Sequence, residues 1–349
     1  MLKSVFIFPY STNGNPYQLI TKNSLEALGI KTYTIVNKDI FPLLKVKSSN
    51  WIIFDWLSPY CISSNGVKSL IKTCLFIFQL LLLKKNKINI FWNIHNLHDH
   101  EKRSSIIDKC LHLFMIKNAT VCRFFSESGK ALFEEYYSKN IGIKNSVVIS
   151  HPSYHLYYKN EDLTFKKPFN KFGLNAKKDY FLFMGNYRPY KGIGKFLQNF
   201  PYQKLGSDQL FLLASKLKKH EKLKFSNNKK LVIIDHFIDE NELASLFACV
   251  KVVILPYSYI LTSGMLFMCM SYKKPVIVPC LPFFEEVLGN TYPLLYRDQD
   301  ECVSLINKIN KYDLNQLGED LFNKCTKEYN PNSINKKIIT CMEEYDLKI

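Results

Sequence analysis

Eleven short apolar runs, spaced by stretches of helical periodicity, limit what this chain can fold into. In the first half they are SVFIF (4–8), KTYTIV (31–36), WIIFDW (51–56), INIFWNI (88–94), TVCRFF (120–125) and SVVIS (146–150). In the second half they are YFLFM (180–184), LFLLA (210–214), LVIID (231–235), KVVILP (251–256) and PVIVP (275–279). Most are continuous rather than alternating, the pattern of strands buried on both faces of a parallel sheet. Helical segments lie between them, such as YQLITKNSLEALG (17–29), which stops on a glycine. Repeated β-α-β order predicts an α/β protein of two doubly wound, Rossmann-like domains facing a central cleft. The length of 349 residues is also right for two domains. The weakly periodic, Lys-rich stretch between the halves divides them: domain 1–160, linker 161–178, domain 179–331, and a last helix over 332–349.

Lys and Arg outnumber Asp and Glu by 47 to 30, a formal charge of +17. That excess favours an acidic partner, such as the phosphates of a small molecule or an anionic membrane face. Nucleic acid is not expected, because no helix-turn-helix, RNP aromatic pattern or zinc spacing accompanies the charge. None of the ten Cys forms a CxxC. Most, including Cys74, Cys110, Cys249 and Cys269, sit in apolar stretches and are expected to be buried, reduced thiols of a cytoplasmic protein. The N-terminal stretch lacks the apolar run of a signal peptide. The apolar run of CLFIFQLLLLKKNK (74–87) is about half the ~20 residues of a spanning helix. It reads either as a buried helix of the first domain or as a monotopic helix with Lys84, Lys85 and Lys87 at lipid headgroups.

FLFMGNYRPYKGIGKFL (181–197) joins a strand end to a helix start, where a doubly wound sheet binds ligands. Arg188 can fork onto phosphate oxygens, Lys191 adds a point charge, and Gly185 and Gly192 admit close backbone approach. VVILPYSYILTSGMLFMCMSYKKPVIVP (252–279) repeats this logic, with Thr262, Ser263 and Gly264 at the start of a helix. Two anion-ready helix termini predict a diphosphate ligand such as a nucleotide sugar. FWNIHNLHDHEKRS (91–104) is the densest titratable cluster. Asp99 or Glu101 is a candidate general base, with His95 as alternative, and Asn96 beside it. His95, His98 and His100 lack a fourth ligand and the HExxH order, so no metal is expected. Asn15 and Tyr17 after the first strand, and His151 and Tyr154 in VISHPSYHLYY (148–158), are candidate acceptor contacts.

These segments resemble bacterial glycosyltransferases of the GT-B fold, in the broad group that includes the GT4 family and contains exopolysaccharide, capsule and O-antigen enzymes. FLFMGNYRPYKG resembles that family's strand and loop gripping the donor diphosphate. The segment ending in KPVI resembles its donor-binding loop and helix. FWNIHNLHDHE, NPYQ and SHPSYHLYY resemble a subgroup with an HN loop. One feature departs: Ile260 and Met268 stand where the retaining family has two Glu separated by seven residues. The resemblance therefore implies a transferase leaning toward inversion, with Glu285 replacing one lost donor contact. It also implies a UDP- or GDP-sugar donor, a lipid-linked saccharide acceptor, no cofactor or metal, peripheral contact with the inner membrane face, and a terminal helix crossing back to the first domain. A nucleotide-sugar epimerase on the same fold and a non-catalytic basic binding protein are the alternatives.

Overall fold

A computed structural model describes residues 2–11, 15–36, 39–46, 50–99, 103–137, 143, 145–158, 168–225 and 227–347. The chain forms two compact units. One joins Met1–Pro152 to Tyr329–Ile349, and the other is Ser153–Glu328.

The first unit holds strands β1 (Ser4–Phe8), β2 (Lys31–Thr34), β3 (Trp51–Phe54), β4 (Asn89–Asn93), β5 (Val121–Phe124) and β6 (Ser146–Val148). They form a parallel sheet in the order β2-β1-β3-β4-β5-β6. Every residue of WIIF in β3 and VCRF in β5 is buried, as the continuous apolar runs demand. The edge strand KTYT is partly exposed. The order reverses between β1 and β3, which places this sheet's switch point at their carboxyl ends.

The second unit holds β7 (Asp179–Met184), β8 (Gln209–Ala214), β9 (Leu231–Ile234), β10 (Val252–Ile254), β11 (Val276–Pro279) and β12 (Leu295–Tyr296). Their parallel order is β12-β11-β10-β7-β8-β9. Here the switch point lies between β7 and β10. The two-residue β12 is too short to leave a periodic signal in the sequence.

The helix Pro331–Asp346 packs on the first unit. Ile334, Ile338 and Met342 join a core cluster with Leu2, Val5, Trp51 and Phe91. Asp346 accepts from Trp51 Nε1 at 2.9 Å and Asn89 Nδ2 at 3.0 Å. Burying three such side chains contributes roughly 1.5–3 kcal/mol each.

The structure moves two sequence expectations. The boundary expected at residue 160 falls at Pro152, because Tyr154 and Tyr158 pack within the second unit: Tyr154 N donates to Ser271 Oγ at 3.0 Å, and the Tyr158 and Tyr272 ring centroids lie 4.9 Å apart. Cys74 and Cys110 are exposed rather than buried, whereas Cys249 and Cys269 are buried as expected.

Candidate functional site

In the second unit, β7 and β10 are neighbours, so the loops at their carboxyl ends meet. Ser258 N donates to Tyr190 O at 3.0 Å, and the Tyr190 ring lies 5.9 Å from Tyr257 and 6.1 Å from Tyr259. Gly192 has φ +69° and approaches the Pro256 carbonyl so closely that a Cβ would collide with its oxygen. The cationic turn and the hydroxyl-bearing loop thus form one surface.

Arg188 is partly exposed and precedes a single 3-10 turn, Pro189–Lys191. Lys191 Nζ folds back over Gly185, 2.9 Å from where a Cβ there would stand, with Met265 Cε 3.3 Å from the same point. Lys191 is partly buried and finds no acceptor among the described residues. Desolvation, and then the like charge of Arg188, push its pKa down to about 8. The Thr262 hydroxyl is buried without a partner, and so is that of Ser215 just beyond β8. The amides of Gly264 and Met265, which open the helix Gly264–Ser271, have no backbone acceptor. A cation, bare amides and an orphan hydroxyl together favour an anion.

Other expectations for this unit change. The helix after Lys191 is Ile193–Asn199, two turns long and separated from β7 by the 3-10 turn. The longer of the two helices, Gly264–Ser271, opens directly on the hydroxyl-bearing loop. Ser263 caps that helix, its hydroxyl oxygen accepting from Leu266 N at 3.1 Å. Tyr154 belongs to the second unit, and its hydroxyl lies 2.7 Å from where a Cβ on Gly264 would stand. Glu285 lies in the first turn of the helix Pro282–Leu288. Ile260 and Met268 are buried apolar residues, so no carboxylate occupies either position.

In the first unit, buried polar side chains gather at the carboxyl ends of β3, β4 and β5. Asp55, which the sequence reading left inside a strand, is their hub. Its Oδ1 accepts from Asn93 Nδ2 at 2.9 Å and contacts His95 Nε2 at 2.9 Å, and its Oδ2 accepts from Gln18 Nε2 at 2.6 Å. A carboxylate only accepts, so His95 carries its proton on Nε2 and leaves Nδ1 as a base. The His95 ring stacks on Trp56 at 4.3 Å. Burial lowers its pKa against the opposing pull of Asp55, which keeps the ring neutral. Arg123 is wholly buried and donates to Ile149 O, Ser150 O, Asn93 Oδ1 and the Tyr17 hydroxyl.

The remaining first-unit candidates are mostly structural. Asp99 is not a free base: Arg103 clamps it with Nη2 at 2.9 Å and Nε at 3.1 Å. Glu101 and His100 lie outside the described residues. Asn15 Oδ1 accepts from Tyr17 N at 3.0 Å and shapes a turn. Tyr17 is fully buried, its ring against Trp56, His95 and His151, and so offers no sugar platform. His151 is buried, with its pKa pushed down to about 3 by desolvation. Asn96 stays partly exposed next to His95. Among the described residues, no three His, Cys, Asp or Glu side chains are grouped to hold a metal ion.

Two residues central to these sites were missed. Asp55 is the one carboxylate at the carboxyl end of an apolar first-half run, and that position is its signal. Ser215 follows LFLLA in the same way.

No protein-family profile and no curated protein matches the sequence. Solved structures do. Sucrose-phosphate synthase from Thermosynechococcus elongatus is 13% identical, with all of both chains covered and a TM-score of 0.71. Anabaena HepE in complex with UDP and glucose is 12% identical, with 99% of this chain and 100% of that one covered and a TM-score of 0.69. A glycosyltransferase from Rickettsia africae is 14% identical, with 99% and 98% covered and a TM-score of 0.64. The chain has the GT-B fold, with two parallel six-stranded sheets.

Proposed function

We propose that this chain is a glycosyltransferase that takes a hexose-type sugar from a UDP- or GDP-linked donor and passes it to an acceptor hydroxyl. The observation that carries this reading is Lys191. A partly buried ammonium beside a second cation, with no acceptor among the described residues, is costly until an anion arrives. HepE is solved with UDP and with UDP-glucose, and that favours a nucleotide diphosphate as the anion.

In the proposed reaction the acceptor hydroxyl gives its proton to His95 Nδ1 and its oxygen bonds to the anomeric carbon. The bond from that carbon to the diphosphate breaks, and negative charge grows on the leaving phosphate. Lys191, Arg188 and the free amides of Gly264 and Met265 hold that charge more tightly as it develops. These groups supply the neutralisation, so the proposed reaction needs no metal. The buried Ile260 and Met268 leave no carboxylate pair for retention, and we assign a direct displacement with inversion. From the sequence resemblance, we assign the acceptor as a lipid-linked saccharide of capsule, exopolysaccharide or O-antigen synthesis at the cytoplasmic membrane face.

A thermal-shift panel of UDP, GDP and their sugars tests the donor site. Ligand at ~100 times Kd stabilises by about 2.7 kcal/mol. With the donor known, free nucleotide is expected only when acceptor saccharide is added. Conversion of the donor without nucleotide release identifies an epimerase instead.

A further inference from the structure

The helix Gly66–Lys85 is built inside out. Of the six residues it buries, Ser69, Thr73 and Gln79 are polar. Its outward stripe is apolar: Val67, Leu70, Ile71, Cys74, Phe78 and Leu81, each exposed, with Val67 at 69% and Phe78 at 53%. These positions follow helical spacing, so they form one face. Two of the buried polar residues are bonded: Ser69 Oγ accepts from Ser63 N and donates to Asn65 O. Gln79 accepts from Leu43 N and donates to Ile40 O, which ties the turn Pro42–Lys45 against the helix and leaves Ile40 and Phe41 exposed. The neighbouring helix Ser105–Asn118 adds Ile106, at 79% exposure, and Cys110.

The helix is long and apolar enough to cross a membrane. Its inner side, Phe76, Leu80 and Leu83, packs within the first unit, with the Phe76 ring 5.7 Å from Phe54. It lies on a surface instead. Lys68, Lys84, Lys85 and Lys87 are exposed at its two ends, and Lys109 and Lys117 are exposed on the neighbouring helix. These two helices carry one carboxylate, Asp108, and it is buried and hydrogen-bonded to Ser58 and to Asp99 N. An apolar stripe whose two helices carry exposed lysines and no exposed carboxylate, with the nearby Asp39 paired to Lys45, fits an anionic phospholipid surface. A second copy of this chain would set like charges against each other.

We propose that the outer face of the Gly66–Lys85 helix docks this protein on anionic phospholipid, with the stripe in the acyl boundary and the lysines at the headgroups. This rests on the reading of a lipid-linked acceptor for its use, but its physics stands on the helix alone. The test is flotation of the full chain with phosphatidylcholine vesicles containing about a third phosphatidylglycerol, beside vesicles of phosphatidylcholine alone. Wild type is expected to float with the anionic vesicles and to be released by salt. The Phe78→Ser/Leu81→Ser variant is expected to lose binding by tenfold or more, and Lys84→Glu/Lys85→Glu to lose most of it, with unchanged melting temperature and unchanged shift with UDP. Wild type that stays unbound overturns the proposal, as does equal binding by the variants. A wild-type dimer that both substitutions dissolve overturns it in favour of a second copy. UDP stabilisation is read on the same samples, so failure of this surface and failure of the donor site are distinguishable.

Discussion

The two switch points treat polar groups in opposite ways. At the first unit's switch point the buried polar side chains are paired: Asp55 meets three side chains, and Arg123 donates to four acceptors. In the second unit Lys191, Thr262 and the amides of Gly264 and Met265 have none among the described residues. A satisfied network fixes geometry, and here it presents one ring nitrogen of His95. An unsatisfied group stores affinity for whatever completes it. In the proposed reaction the contrast separates a part that orients from a part that binds.

The largest test is to remove the oriented base. His95→Ala is expected to lower kcat by ~10²–10⁴ while leaving the affinity for UDP unchanged. Full turnover in that variant would reduce the first-unit network to scaffolding and break the comparison. Asp55→Asn, a smaller change, is expected to lower kcat and move the pH profile, because the tautomer is no longer held.

Next comes the unsatisfied side. Lys191→Ala is expected to lower kcat/KM by ~10²–10³, as loss of one oxyanion-type donor does, and Arg188→Ala by ~10². Unlike the His95 variant, both are expected to weaken UDP binding in calorimetry. Unchanged binding in both would remove the diphosphate from this turn.

The join between the two loops is a stability test. Gly192→Ala forces a side chain to φ +69° and into the Pro256 carbonyl, for a loss of about 1–3 kcal/mol. A melting temperature equal to wild type would show that the loops do not meet as described.

The smallest effect is in pH. Lys191 without ligand has a pKa near 8, and an anion raises it, so the complex takes up a proton above that pH. Affinity for UDP is expected to hold below pH 8 and to weaken by up to about tenfold at pH 9. Lys191→Ala flattens this dependence. The sign for the empty protein is the reverse of a favourable ion pair. Between pH 8 and 10.5 the unfolded chain binds the proton more tightly, so this group's penalty on stability fades as pH rises.

The strands were legible because their continuous apolar runs report burial directly, and all but β12 could be located. The position of Lys191 and Arg188 just beyond β7 was legible because they follow a continuous apolar run and lie between two glycines. The bases were harder. Asp99 and His95 stand four residues apart with similar neighbours in sequence. Arg103 takes one and Asp55 the other, and that choice depends on which strand lies alongside. Tyr17 and Tyr154 look like sugar platforms in sequence, yet both are buried, because an aromatic ring fits a core as well as a cleft.

By itself the sequence determined the two β-α-β halves, the loops at the carboxyl ends of their strands, and the place of Arg188 and Lys191 in one of them. Those are properties of neighbours along the chain, set by periodicity and by charge. Only the tertiary structure decided which polar groups are paired and which wait. Asp55 and His95 are 40 residues apart, and Lys191 and Thr262 sit on loops of strands that are not consecutive. A hydrogen bond needs atoms within ~3 Å, and chain folding alone sets that distance.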